Sequence, residues 1–323
     1  MSVLFLNDSP VIRFGLAPAF RRLGRTVEFL PQLWVHESSQ QVLRAKEWLR
    51  ANEVPSIVFF EGFTGSRPIH PAAINVFRDA GARFGYWAIE DPLWTDEVIS
   101  RDRGRGPYAS AADHIFTPCE ECAARYRHHL IPSSVLLFAT APDHHRPVEP
   151  RRSLDVVLLA NFYSNRFSLL TELLIEPCLR LEVRLAIFGH GWDQTPECIR
   201  RCWHGPVAYG ELPDVYAAAK VALGAEQCLN MSSTQCSMRV FEVLGCGGAV
   251  YLGPDHRAHR RLFESGKQLE LTSSPAQTMD LLRRLLNDQP YRKAMAKAGR
   301  AVVLKSHTYE ARALQILDAL SHR

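Results

Sequence analysis

Long apolar runs are missing from this 323-residue chain. None reaches the ~18 residues that a membrane-spanning helix requires. The apolar opening Val3-Leu-Phe-Leu6 is broken at once by Asn7 and Asp8 instead of extending into a secretory leader, so a cytoplasmic protein is expected. Blocks of like charge are missing as well. The net charge of +4 is dispersed, and Arg101-Asp-Arg-Gly-Arg105 is interrupted by an acid and a glycine, which argues against nucleic acid as a partner. There is no Walker-type phosphate loop, and no Gly-x-Gly-x-x-Gly follows the first predicted strand. Both absences argue against a P-loop nucleotidase and a nicotinamide dehydrogenase. No Asp-x-Asp metal motif occurs, and the eight cysteines do not fall into a zinc-knuckle arrangement. Cys119-Glu-Glu-Cys122 and the pair Cys198 and Cys202 lack the glycine of a knuckle, so reduced thiols and no metal ligands are expected.

What is present is an ordinary globular composition, 46% apolar and 22% charged, in a chain long enough for two domains. Short apolar runs alternate with amphipathic stretches. Val3–Leu6, Thr26–Leu30, Ser56–Phe60, Phe84–Ile89, Ala111–Phe116 and Val135–Phe138 read as strands, with helices between several of them. Ala139 to Arg152, with Pro142, Pro147 and Pro150 amid Asp143, His144 and His145, reads as a linker. The alternation then restarts with strands at Leu154–Leu159, Val183–Phe188, Val207–Tyr209, Val221–Leu223, Ala249–Leu252 and Gln268–Leu271. The expected fold is α/β: two Rossmann-like, doubly wound domains facing a cleft. Their expected bounds are 1–145 for a first domain and 146–307 for a second, with 308–323 a last helix.

The chemistry concentrates in Ser237 to Val250. Helical spacing puts Met238, Phe241 and Leu244 on one face and Arg239 with Glu242 on another, and Gly245, Gly247 and Gly248 stop the helix. Arg suits phosphate oxygens and Glu accepts from paired ribose hydroxyls. The same pair also fits a plain ion pair on a helix surface. Other polar loops follow predicted strands or open helices: Asn161 with Arg166, Gly189-His190-Gly191-Trp192, and Tyr209-Gly210. In a doubly wound domain such loops gather at one edge of the sheet.

Several of these stretches resemble the CgeB-like spore-maturation glycosyltransferases, whose second domain carries a glycosyltransferase-B (GT-B) sugar-nucleotide site. The matching pieces are Arg239-Val-Phe-Glu242 with Gly247-Gly-Ala, Leu262-Phe-Glu-Ser-Gly-Lys267, Ala296 to Arg300, and His307-Thr-Tyr-Glu-x-Arg312. Phe188-Gly-His-Gly-Trp192 and Tyr216-Ala-Ala-Ala-Lys220 add to them, and the likeness covers about residues 154 to 317. It implies a glycosyltransferase that takes its sugar from a nucleotide diphosphate, a UDP-sugar, without a metal cofactor, with 1–145 the acceptor-side domain, 146–307 the nucleotide-sugar-binding domain and 308–323 a helix returning to the first. By the family pattern Arg166 and Arg239 face the diphosphate, Glu242 the ribose, and the Gly189–Trp192 loop the nucleotide-sugar. Lys267 is a further cation for the leaving group. The acceptor is a sugar, a peptide or a small molecule.

Two departures from that pattern matter. Ala160-Asn161 stands where Gly-Ser is expected, and Thr234 and Gln235 stand where many retaining enzymes of this fold carry an acid. An inverting transfer needs a general base near the acceptor hydroxyl. Asp91, in Ile89-Glu-Asp-Pro92, is the first choice, although it also fits a turn cap before proline. Glu61 and Asp8 come second, and His190 fits leaving-group stabilisation or a surface position. Rival readings are a non-catalytic nucleotide-sugar binder and an epimerase of the same fold. A response-regulator receiver is a third, because Asn7 to Gly15 resembles its opening, but Glu61 stands where its phosphate-accepting Asp belongs.

Overall fold

The computed structural model describes residues 1–31, 33, 37–62, 69–89, 111–149, 153–225 and 234–321. The chain divides into two compact units, Met1–Leu137 with Tyr309–Arg323, and Phe138–Thr308.

In the first unit, β1 (Ser2–Phe5), β2 (Thr26–Phe29), β3 (Ile57–Gly62), β4 (Arg83–Ala88), β5 (His114–Thr117) and β6 (Ser133–Val135) form one sheet. Its order is β2-β1-β3-β4-β5-β6, and every pairing is parallel. Helices α1 (Ala17–Arg22), α2 (Ser38–Ala51), α3 (Pro71–Asp79) and α4 (Glu120–His128) connect the strands, and a π-helical run, Val11–Leu16, leads into α1. Strands covered on both faces must be apolar throughout, and β3, Ile57-Val-Phe-Phe-Glu-Gly62, is buried along its whole length. Phe5 packs against Phe20 and Phe59, and Phe59 against Phe116, so three strands and the first helix share aromatic contacts.

The second unit holds β7 (Val156–Leu159), β8 (Leu185–Phe188), β9 (Val221–Leu223), β10 (Val250–Pro254) and β11 (Glu270–Thr272), in the parallel order β11-β10-β9-β7-β8. Its helices are α5 (Ser164–Leu170), α6 (Glu176–Arg180), α7 (Glu197–Arg200), α8 (Leu212–Ala218), α9 (Met238–Cys246), α10 (Arg257–Leu262), α11 (Pro275–Asn287) and α12 (Gln289–Ser306). The last helix, α13 (Tyr309–Ser321), belongs to the first unit, where it packs on α1 and beside β4. Arg312 fixes it there by donating from Nε to the Leu137 carbonyl at 2.8 Å.

Both sheets are doubly wound, as expected. In the first, the chain leaves β1 for β2 on one side and returns to β3 on the other; in the second it leaves β7 for β8 and returns to β9. Two switch points result, β1/β3 and β7/β9, and ligands of open parallel sheets sit outside the carboxyl ends of the strands at such points.

Two details depart from the sequence reading. Val207–Tyr209 is not a strand; Tyr209–Glu211 is a single 3-10 turn. The chain pairs with the β8 edge earlier, where Ile187 bonds Cys202 and His204 and Gly189 N–H donates to Gly205 O at 3.0 Å. The segment after Phe138, read as the end of the first domain and a linker, packs with the second unit, where Thr140 N–H donates to His307 O at 2.8 Å.

Candidate functional site

The carboxyl ends of β7 and β8 carry two loops sewn together by their own backbones. Ala160 N–H donates to Phe188 O at 2.9 Å, and Phe162 N–H to His190 O at 2.8 Å. Asn161 closes the seam, its Oδ1 accepting from His190 N–H at 3.0 Å. So close an approach leaves no room for a side chain at Gly189: a Cβ there lies 2.1 Å from the Ala160 carbonyl oxygen, on a backbone with φ of +135°. The glycine is therefore a requirement of geometry.

Trp192, expected to face a nucleotide-sugar, is wholly buried. Its indole N–H donates to Ala160 O at 2.7 Å, and Phe162 meets its ring edge-on. Its ring and indole N–H brace the loop. His190 is exposed, and Gly191, with φ of +84°, turns the chain into the buried tryptophan. Arg166 is buried; it donates to the carbonyl of Asn161, and its guanidinium lies 4.8 Å from the Tyr163 ring centre, so it braces the β7 loop.

The second group of residues is built on α9. Ser237 caps the helix by accepting from Arg239 N–H at 3.3 Å. Gly245 lies inside α9 and does not end it; Gly247, with φ of +62°, does. Gly245 serves a different purpose, because a Cβ there comes within 1.9 Å of Thr140 Oγ1 and 3.1 Å of His145 Cβ. A bare backbone on this turn lets residues 140–145 lie directly on α9. The helix end is completed by Arg300 on α12, which donates to Gly245 O at 3.1 Å.

Along the same helix Arg239 and Glu242 do pair, at 2.5 Å, yet neither as a surface bridge nor as an open carboxylate. The Glu242 side chain is 1% exposed and that of Arg239 24%. Glu242 Oε2 takes the Arg239 bond, and Oε1 accepts from the Tyr209 hydroxyl at 2.8 Å. Burial pulls the Arg239 guanidinium down, but the Glu242 carboxylate with Tyr216 and Tyr209 more than offsets this and holds it above its ordinary value.

Two histidines read as linker residues complete the cluster. His145 is buried, and its Nδ1 accepts from Ala141 N–H at 3.0 Å. The neutral ring therefore carries its proton on Nε2, which donates to Tyr209 Oη at 3.2 Å. His144 stacks on the Tyr209 ring, 5.1 Å between centres at 16°, and its Nε2 meets Tyr209 O at 3.0 Å. Burial lowers both histidines, with Glu242 acting in the other direction, and His145 falls to about 4. A proline-flanked polar stretch gives no sign of this; only its register against Gly245 brings the ring under α9.

Not every expected residue joins. Lys267 lies in the turn before β11, at the amino end of a parallel strand and so at the sheet edge opposite the β7 and β8 loops. It is exposed and paired with Glu264 at 2.9 Å. Gly210, also exposed, follows Tyr209 in its 3-10 turn. In the first unit Asp91 lies outside the described residues. Glu61 is 2% exposed at the β1/β3 switch point, where Asn7 and Ser9 donate to its Oε2. Asp8 forms an exposed pair with Arg13 at 2.5 Å. Among the described residues no group of three His, Cys, Asp or Glu side chains is placed to hold a metal ion. Cys119, half of the Cys-x-x-Cys, accepts from Cys122 N–H at 3.1 Å and so caps α4.

Solved structures share this two-domain fold at low identity. Anabaena HepE, in complex with UDP and glucose, matches with a TM-score of 0.65 at 10% identity, covering 99% of each chain. Sucrose-phosphate synthase from Thermosynechococcus elongatus matches at 0.64 and 13%, covering 98% of this chain and 97% of its own. A Listeria monocytogenes protein assigned as a UDP-N-acetylglucosamine 2-epimerase matches at 0.62 and 12%, over 99% and 95%. No curated protein matches the chain in sequence. The architecture is thus the two-domain Rossmann-like, GT-B arrangement. Residues 166–318, the stretch that carries Arg166, the glycine loop, Tyr209, Arg239 and Glu242, match the model of a family described as glycosyl transferase-like.

Proposed function

We propose that this protein is a metal-independent glycosyltransferase that moves a sugar from a nucleotide diphosphate, a UDP-sugar, to an acceptor hydroxyl. The nucleotide is held at the β7/β9 switch point of the second unit. The observation that carries this reading is the Arg239–Glu242 pair in the first turns of α9, on the carboxyl side of the sheet and inside the family-matched stretch. Arg239, kept charged by Glu242, takes diphosphate oxygens, and Glu242 takes the ribose hydroxyls. Arg166, Asn161 and the Gly189–Gly191 loop line the phosphate side, with His190 at the leaving group and Asp91 as the base of an inverting transfer. The motifs around α9 support a place within the CgeB-like branch.

UDP-bound neighbours favour the donor, and the epimerase-assigned neighbour supplies a second reading. Calorimetry with UDP and UDP-sugars, followed by product analysis, separates them. A transferase releases UDP only as sugar appears on an acceptor, an epimerase returns an altered UDP-sugar, and a simple binder does neither. Glu242→Ala is expected to weaken UDP at least tenfold, the scale of a hydrogen bond to a charged group, while Asp91→Asn spares binding and abolishes transfer. Unchanged UDP affinity in the first variant removes Glu242 from the site, and full activity in the second removes Asp91 as base.

A further inference from the structure

The carboxylate assigned to the ribose is already occupied. His145 Nε2 donates to Tyr209 Oη at 3.2 Å, which leaves the phenol hydrogen to donate to Glu242 Oε1 at 2.8 Å, while Arg239 donates to Oε2 at 2.5 Å. The donor directions are fixed by the Ala141 N–H that the other histidine nitrogen accepts. Glu242 and His145 are buried and sit on regular or tightly packed backbone. Tyr209 is the half-buried member. It stands on one 3-10 turn between exposed Ala208 and exposed Gly210, and its ring leans on His144.

We propose that Tyr209 sets ribose specificity in the donor site. Its hydroxyl holds on Glu242 Oε1 the place of a ribose hydroxyl, and a nucleoside diphosphate enters by exchanging one O–H donor for the other. Tyr209 keeps the His145 bond after the exchange and turns its own hydrogen to water. A ligand with no ribose hydroxyl has no donor to exchange; it leaves Tyr209 on the carboxylate and binds without that contact, and so more weakly. The inference rests on the reading of Glu242 as ribose acceptor.

The test compares UDP with its dideoxyribose analogue on the full chain and on Tyr209→Phe, which keeps the ring on His144 and removes only the hydroxyl. Loss of the internal competitor is expected to tighten UDP on the order of tenfold and to leave the analogue unchanged, although the unliganded variant melts lower. A brace has the opposite sign: UDP no tighter in the variant, with the unaltered protein still preferring UDP, overturns the role of Tyr209. Equal affinity of the unaltered protein for UDP and the analogue overturns the ribose reading itself, and the inference with it. Should Tyr209→Phe fail to fold, isotope-labelled tyrosine rings in the unaltered chain give the answer. A phenol signal that UDP moves and the analogue leaves in place supports the exchange, and one moved by neither overturns it.

Discussion

Titration of His145 is the sharpest physical consequence of the cluster on α9. Its ring is buried and its imidazole is lowered to about 4, with burial the leading cause, whereas in the unfolded chain it titrates near the ordinary ~6.5. Between those two values the unfolded state binds a proton that the folded state does not. Stability from the neutral ring is therefore complete above the unfolded value and is lost as pH falls from about 6.5 toward about 4. The span corresponds to roughly 3 kcal/mol at most. Protonation also breaks the chain of bonds, because a charged imidazole donates from both nitrogens and Nδ1 can no longer accept from Ala141 N–H. The assay is unfolding by urea across this pH range for the unaltered protein and for His145→Asn, which keeps a donor and an acceptor but does not titrate. Carboxylates and other histidines contribute to both curves and cancel in the difference. The unaltered protein is expected to lose stability relative to the variant as the pH drops, most steeply below pH 6. Parallel curves, or an imidazole resonance for His145 that titrates near its ordinary value, refute the reasoning.

Two further substitutions probe the loops. Gly189→Ala places a Cβ against the Ala160 carbonyl on a left-handed backbone, and is expected to destabilise the protein by more than about 2 kcal/mol and to abolish UDP binding. A thermal melt within a degree or two of the unaltered protein contradicts the close approach. Lys267→Ala removes an exposed ion pair at the opposite sheet edge and is expected to leave UDP affinity unchanged by calorimetry, with stability moved by less than about 1 kcal/mol. A tenfold loss of affinity places Lys267 at the donor after all.

The strands were legible because a doubly wound sheet buries both faces. Ile57–Phe60 and Val221–Leu223 are unbroken apolar runs, as strands buried on both faces require. Tyr209 was misread for the same reason. Val207-Ala-Tyr209 has strand composition, but the β8 edge is satisfied by backbone groups of Cys202, His204 and Gly205, and backbone pairing leaves no side-chain pattern. Arg239 and Glu242 were found from helical spacing, while their burial was not, since a charged pair three residues apart reads alike on either side of a helix. Trp192 shows the reverse limit: the resemblance puts the Gly189–Trp192 loop at the nucleotide-sugar, and nothing local in the sequence indicates that the indole N–H is spent on the Ala160 carbonyl. His145 left no local trace, because its place depends on a glycine a hundred residues away.

Several of the motifs that suggested a family pack around α9. Phe263, from the Leu262–Lys267 stretch, and His307 both lie against Phe241, at 6.0 and 5.4 Å between ring centres. Gly299 brings α12 within reach of Leu244 and the Gln268 carbonyl, and Arg300 caps the helix at Gly245. Arg312 docks the last helix on Leu137. The contacts of Phe263, His307, Gly299 and Arg300 bear on where α9 lies in the second unit, and Arg312 bears on the last helix in the first. Such a signature follows the scaffold that aims the pair, so two proteins can share it and still differ in sugar and acceptor. Among the described residues outside that signature, Tyr209 bonds Glu242, His145 bonds the Tyr209 hydroxyl, and His144 stacks on its ring.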